Sequence, residues 1–163
     1  MTTNVIADVA VRWSSYYDKH QAVSVLIRFL HLAAIVLGAG SALITDRRVL
    51  GASLRKSVNR DEVFATLRPD HLRVAVCMIV LGITGILMTA ADSSTYFASK
   101  IFWVKMTLVA LLLSNGAAIV LAERRIGRVG VAIGWRRLAI TAAVSVLLWL
   151  TILYMGVLLT VAA

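Results

Sequence analysis

Four near-continuous apolar runs, at 22–44, 72–91, 101–121 and 138–161, constrain this chain more than any other feature. Each reaches the roughly 20 residues that a helix needs to cross about 30 Å of hydrocarbon at 1.5 Å per residue. Hydrocarbon offers no water to a backbone amide, so such a run must close its hydrogen bonds within itself, as a helix. The runs take up more than half of the 163 residues, and 60% of the chain is hydrophobic. That leaves no room for a large water-soluble domain. The chain reads as an all-α integral membrane protein: an N-terminal interfacial segment over 1–21, then a four-transmembrane-helix bundle over 22–163.

The net charge of +9 invites a nucleic-acid reading, but the placement of the charge argues against it. One basic stretch, 45–71, carries Arg47, Arg48, Arg55, Lys56, Arg60 and Arg68, and another, 122–137, carries Arg124, Arg125, Arg128, Arg136 and Arg137. The short connection 92–100 sets only Lys100 against Asp92. Short segments rich in Lys and Arg stay in the cytoplasm. Both basic stretches are therefore expected inside a bacterial-type inner membrane, with both termini and the 92–100 turn extracytoplasmic. Arg12 and Lys19 in the N-terminal segment are a mild counter-signal. Anionic lipid headgroups suit the basic stretches as partners. The lone cysteine, Cys77, cannot form an intrachain disulfide. The polar first 21 residues and the long run after them predict a retained spanning helix and no cleavable signal.

In the N-terminal segment Val5, Val9, Trp13, Tyr16, Tyr17 and His20 fall near one helical face. Aromatics of this kind suit a membrane interface. The segment reads as an interfacial anchor or as a docking helix for a partner or for the mouth of the bundle. The stretch 45–71 has room for a short amphipathic helix over 54–67, with Pro69 in the first turn of the second span, where its missing N–H costs nothing. Gly127, Gly130 and Gly134 make 122–137 read as turn. Small residues mark expected close helix contacts: Gly38, Gly40 and Ser41, then Gly82 and Gly85, then Ser114, Gly116, Ala117 and Ala118. Asn115 reads as a polar link between helices.

An ionisable side chain inside a span is costly, by about 2.5–3.5 kcal/mol near the centre for Arg or Lys. Those well inside the runs are Arg28 and His31 in the first and Lys105 in the third. Counted from the outer ends at 1.5 Å per residue, Arg28 lies about 9 Å down, His31 about 14 Å and Lys105 about 6 Å. Met88 and Thr84 of the second run lie about 5 and 11 Å from that end, and Tyr154 and Met155 of the fourth about 10 Å. Helix alternation alone puts all seven in one half of the bundle, whichever way it is inserted. Each has a plainer reading: Arg28 and Lys105 can snorkel to headgroups, His31 can be a hydrogen-bonded packing residue, and the methionines can be core filler.

As chemistry, the set fits a metal site of His31 with Met88 or Met155, or a haem b with His31 as its one protein ligand. A bis-histidine haem does not fit. His31 lies about 20 Å from the inner end of its helix, where His71 is expected, and His20 precedes the first run. No nucleophile elbow, phosphate-binding glycine loop, HExxH or CxxC occurs, so catalysis has no local signature.

Three pieces of sequence resemble the four-helix membrane proteins related to the copper-resistance protein CopD. They are Phe29-Leu30-His31-Leu32 followed by Gly38; Gly82-Ile83-Thr84-Gly85; and Phe102-Trp103-Val104-Lys105-Met106-Thr107-Leu108, with Asn115-Gly116-Ala117 beyond. The resemblance covers roughly residues 25–160. It implies a core module in which His31 and Lys105 are the functional pair and copper the cargo. A histidine on the first helix and a lysine on the third are also similar to the HemJ-type protoporphyrinogen oxidases, which bind haem. There the resemblance is thinner, since Thr45-Asp46-Arg47-Arg48 stands where that family has Leu-Pro-Arg. The expectation is a small bundle holding copper or haem b in its outer half, for metal handling or electron transfer. His31 would be the ligand, Met88 or Met155 a second ligand, and Lys105 and Arg28 the partners of propionates or other anions. The competing expectation is a non-catalytic subunit of a larger membrane complex, or of a homo-oligomer.

Overall fold

A computed structural model describes residues 2–54, 60–129 and 131–162, with side chains over 8–53, 71–121 and 136–161. All the described backbone is helical except for brief breaks at His20, Asp92 and Ser99. The helices are α1 (Thr2–Lys19), α2 (Gln21–Leu54), α3 (Arg60–Ala91), α4 (Ser93–Ala98), α5 (Lys100–Val129) and α6 (Val131–Ala162). Four of them contain stretches long and apolar enough to cross a membrane: Gln21–Ser53, His71–Ala91, Lys100–Leu121 and Arg136–Val161.

The helices outrun their apolar runs. α2 continues past Ile44 through Leu54, and α3 is already helical from Arg60. The described part of the expected loop over 45–71 is thus helix, and of the short helix expected over 54–67 the residues 60–67 belong to α3. Pro69 falls in the body of α3 and not in its first turn. A proline deletes one amide hydrogen bond, which interrupts a helix without having to end it. In the same way α5 runs to Val129 and α6 begins at Val131, so Gly127 and Gly134 of the expected turn are helical, and Gly130 lies outside the described residues. Hydropathy marks where a helix would leave hydrocarbon; arginine, lysine and glutamate are good helix formers and carry the helix on. Val5, Arg55, Lys56, Arg60, Arg68, Arg124, Arg125 and Arg128 lie outside the residues whose side chains are described.

The 92–100 connection also has structure. Asp92 caps α4, its carboxylate accepting from the Thr95 amide at 3.4 Å, and Trp103 Nε1 donates to the Phe97 carbonyl at 3.1 Å. α2 packs against both α3 and α6, α5 packs against α6, and α1 lies across α3 and α2. Backbone neighbours therefore run in the order α3, α2, α6, α5. The described parts of α3 and α5 are joined in sequence by α4 but are not backbone neighbours.

Apolar packing falls into three layers. At the end that carries α1 and α4, Tyr17, Ile27 and Ala91 are buried together with Trp13, Val23, Leu87 and Met88 against them. The middle layer joins Ala39 and Ala42 of α2 to Leu112 of α5 and Trp149 and Ile152 of α6. At the opposite end Val49, Ala52, Leu138 and Ala142 close the interior.

α1 is fastened to the chain's own helices. Tyr17 is buried and Trp13 Nε1 donates to the Leu87 carbonyl of α3 at 2.8 Å. At Gly38 α2 and α3 approach closely, since a Cβ there would stand 2.9 Å from Cys77 Cβ. Gly40, Gly82 and Gly116 have open space beside them and mark no close contact. Asn115 is a polar link, its Nδ2 donating to the Thr141 carbonyl at 3.0 Å between α5 and α6.

Candidate functional site

His31 sits on α2 just inside the α1/α4 end and reaches toward α3. Its Nδ1 lies 2.8 Å from Thr84 Oγ1. The Thr84 hydroxyl donates to the Val80 carbonyl at 2.7 Å, one turn back on its own helix. With its single proton committed there, the hydroxyl accepts from His31, and the imidazole carries its proton on Nδ1. The lone pair is left on Nε2, which has no hydrogen-bond partner among the described residues. An imidazole held through Nδ1 with Nε2 free is the arrangement of a metal-ligating histidine. Gly85 follows Thr84 and keeps the flank of the ring clear of side-chain bulk: a Cβ there would touch His31 Cε1 at 3.6 Å.

Lys105 enters from α5 and turns toward α6. Its ammonium lies 3.8 Å from where a Cβ on Gly156 would stand, so the absent side chain makes room for the lysine head. The charge is close enough to act on His31. Lys105 is half-buried, and no carboxylate pairs with it among the described residues. All four long helices therefore contribute to one place: His31 from α2, Thr84 and Gly85 from α3, Lys105 from α5 and Gly156 from α6.

The other expected residues stand apart from this node. Arg28, one turn nearer the α1/α4 end, is exposed and engages α1, with Nε donating to Tyr17 Oη at 3.2 Å and its guanidinium 5.9 Å from the Tyr17 ring centre. It shares that corner with Tyr96 of α4, whose phenol is pushed up by burial and by Tyr17 and Asp92 nearby, with Arg28 opposing. Met88 packs in the layer of Tyr17, Ile27 and Ala91. Met155 is half-buried beside Gly156, whereas Tyr154 is 60% exposed and faces away from the interior. Among the described residues no three His, Cys, Asp or Glu side chains gather as a metal site. His71 is remote from His31, which meets α3 at Thr84, thirteen residues and about 20 Å further along that helix. His20 stacks on Tyr16 and lies exposed.

One polar residue escaped the sequence reading. Asp46 is only 5% exposed and lies on the inward face of α2, in register with Ala39, Ala42, Val49 and Ala52. Its carboxylate takes a hydrogen bond from Ser145 of α6 and lies in the field of His71 of α3. Ending the first span at Ile44 hid it. The three-and-four spacing of small apolar residues, which continues unbroken from 39 to 52, was the signal that could have found it.

No curated protein and no solved structure matches the chain. A family model does, over residues 14–161, a stretch that takes in the end of α1, all four long helices, the His31–Thr84–Lys105 node and Asp46. The chain belongs to that family, described as DUF6644, a family of unknown function.

Proposed function

We propose that the four long helices cross a bacterial-type plasma membrane as a bundle, with the arginine-rich end inside and both termini outside, and that the His31–Lys105 node binds haem b. The orientation follows from the basic stretches. The haem reading is carried by one observation: a half-buried lysine with no carboxylate partner among the described residues, beside an imidazole whose ligating nitrogen is free. A ligand that answers both groups must accept a lone pair at a metal and present anionic charge close by. Haem b does so, with an iron for Nε2 and carboxylates for the ammonium.

Copper answers only one of them. A lone copper ion would take its charge next to a lysine and would need further ligands from the protein. Met88 is engaged in apolar packing. A porphyrin brings its own four equatorial nitrogens, so a single histidine suffices.

In this reading Thr84 fixes the tautomer and the ring plane of His31, and Gly85 keeps side-chain bulk off the ring. Lys105 holds the propionate side, with Arg28 one turn nearer the surface as a second cation. Bound haem would supply one-electron chemistry, and the role would be electron transfer or haem handling. The CopD-like resemblance in α2, α3 and α5 supports a metal-linked role, and the HemJ-like plan of histidine and lysine supports haem over copper.

The test is an absorption spectrum of the protein purified in mild detergent from haem-sufficient cells. A Soret band that His31→Ala removes and Lys105→Met weakens is the expected result. Copper by elemental analysis with no Soret band would transfer the site to the metal alone. Colourless, metal-free protein that co-purifies with stoichiometric membrane partners would replace both with the non-catalytic subunit. That second reading draws on Val9 and Val11 of α1, which are well exposed beside the docked face.

A further inference from the structure

The interior at the arginine-rich end holds an acid whose hydrogen bonding is incomplete. Asp46 is almost fully enclosed, and its Oδ2 has no surface and no hydrogen-bond partner among the described residues. Ser145, equally buried, donates to the carboxylate from α6. An unsatisfied buried carboxylate oxygen is costly, because no hydrogen bond offsets its lost hydration. A carboxylate needed only to join α2 to α6 would lose nothing by being asparagine or serine, which carry less charge to bury. The buried acid and its unpartnered oxygen call for an occupant.

Two kinds fit a lone carboxylate oxygen: a proton or a metal cation. The surroundings separate them. The antiparallel register that sets His31 against Thr84 and Gly38 against Cys77 brings His71 of α3 within two residues of the position opposite Asp46. That is close enough for its charge to act on the carboxylate, and His71 is half-buried. Around the pair, Arg47 and Arg48 on α2, Arg73 on α3 and Arg136 and Arg137 on α6 are all exposed and all positive. A metal cation would have to enter through that field and share the site with an imidazole. A proton reaches Asp46 by way of the imidazole itself.

We propose that Asp46 and His71 form a proton-exchanging pair that opens to the arginine-rich end. His71 takes up a proton from the aqueous phase there. The N–H bond of the imidazolium then breaks as the O–H bond at Asp46 Oδ2 forms, and the imidazole returns to neutral. Ser145 holds the other carboxylate oxygen throughout and fixes which oxygen is open. The proposal does not rest on haem: the pair lies fifteen residues and about 22 Å along α2 from His31, beyond the middle layer of Trp149 and Leu112.

The experiment is infrared spectroscopy of the full chain in lipid vesicles, with carbon-13 aspartate, taken through about pH 5 to 9. The expected result is a carboxylic C=O band that carries the isotope shift, moves in deuterium oxide, and appears and disappears reversibly with pH. Asp46→Asn should abolish it, and His71→Gln should displace its midpoint by about one pH unit. Should the asparagine variant fail to fold, Asp46→Glu assigns the band instead, since the glutamate carboxyl carries no label and the labelled band must vanish. A labelled wild-type chain with no titrating band overturns the pair, as does a midpoint that His71→Gln leaves in place. Carboxylate stretches that respond to sodium against choline, with no protonated band, would make this a cation site and overturn the proposal equally.

Discussion

The two polar nodes of this molecule are built on the same helix and solve opposite problems. At the α1/α4 end a cation, Lys105, has been brought inside without an acid among the described residues to meet it. At the arginine-rich end an acid, Asp46, has been brought inside and one of its oxygens left open. Between them the Ala39, Ala42, Leu112, Trp149 and Ile152 layer contains no charged side chain. The histidine beside Lys105 and the acid Asp46 stand about 22 Å apart along α2, so the two charges do not neutralise each other. Separated, uncompensated charges of this kind mark places where something exchangeable completes the charge.

The comparison can be broken most forcefully at its divider. Trp149→Ala should cost about 3–5 kcal/mol, read as a lowered thermal midpoint in detergent, because a large side chain is removed from a closed layer. It should also perturb both nodes at once, which no substitution within either node should do. Lys105→Met should lower haem affinity by about 1.5–3 kcal/mol, the worth of a charge-assisted contact, while the haem-free protein melts higher because an unpaired charge has gone. A haem-free protein that melts lower would mean that the lysine already has a structural partner.

Thr84→Val keeps the shape but removes the acceptor for His31 Nδ1, and should weaken haem binding by about 10- to 100-fold. The infrared behaviour of Asp46 should not change, which tests the independence of the two ends. The smallest effect is expected at Asn115→Ala. Its bond to the Thr141 carbonyl is worth about 0.6 kcal/mol in a membrane setting, and its loss should leave both nodes intact.

How much of this could be read from the sequence depends on which physical rule each feature obeys. The apolar runs located all four long helices, because exclusion of water from hydrocarbon leaves the backbone one solution. His31, Lys105 and Thr84 could be assigned to one half of the molecule from helix rise alone. Rise says nothing about azimuth, however. Tyr154 shares the depth but points outward, and Met88 shares it but packs under α1. Arg28 was expected to reach headgroups or anions, and the ring of Tyr17 on α1 could not be placed against it before α1 was seen folded over the helix ends. The glycines show the same limit: Gly38 and Gly85 face neighbouring helices, while Gly40 and Gly82, two or three residues away, face open space. Asp46 was lost for a different reason. Hydropathy drops where arginines begin, whereas helix and buried face both carry on.

The length of α2 has a consequence of its own. Its 34 residues measure about 51 Å, and a bilayer core is about 30 Å thick. In the proposed bundle, counted from Gln21, His31 would stay submerged in an ordinary bilayer, whereas Asp46, about 37 Å along, would sit near the far headgroups. A thicker, sterol-like leaflet would drown the acid and a thinner one would lift it clear, while the imidazole would notice neither. Lipid composition would thus act as a dial on one end of the protein and leave the other alone.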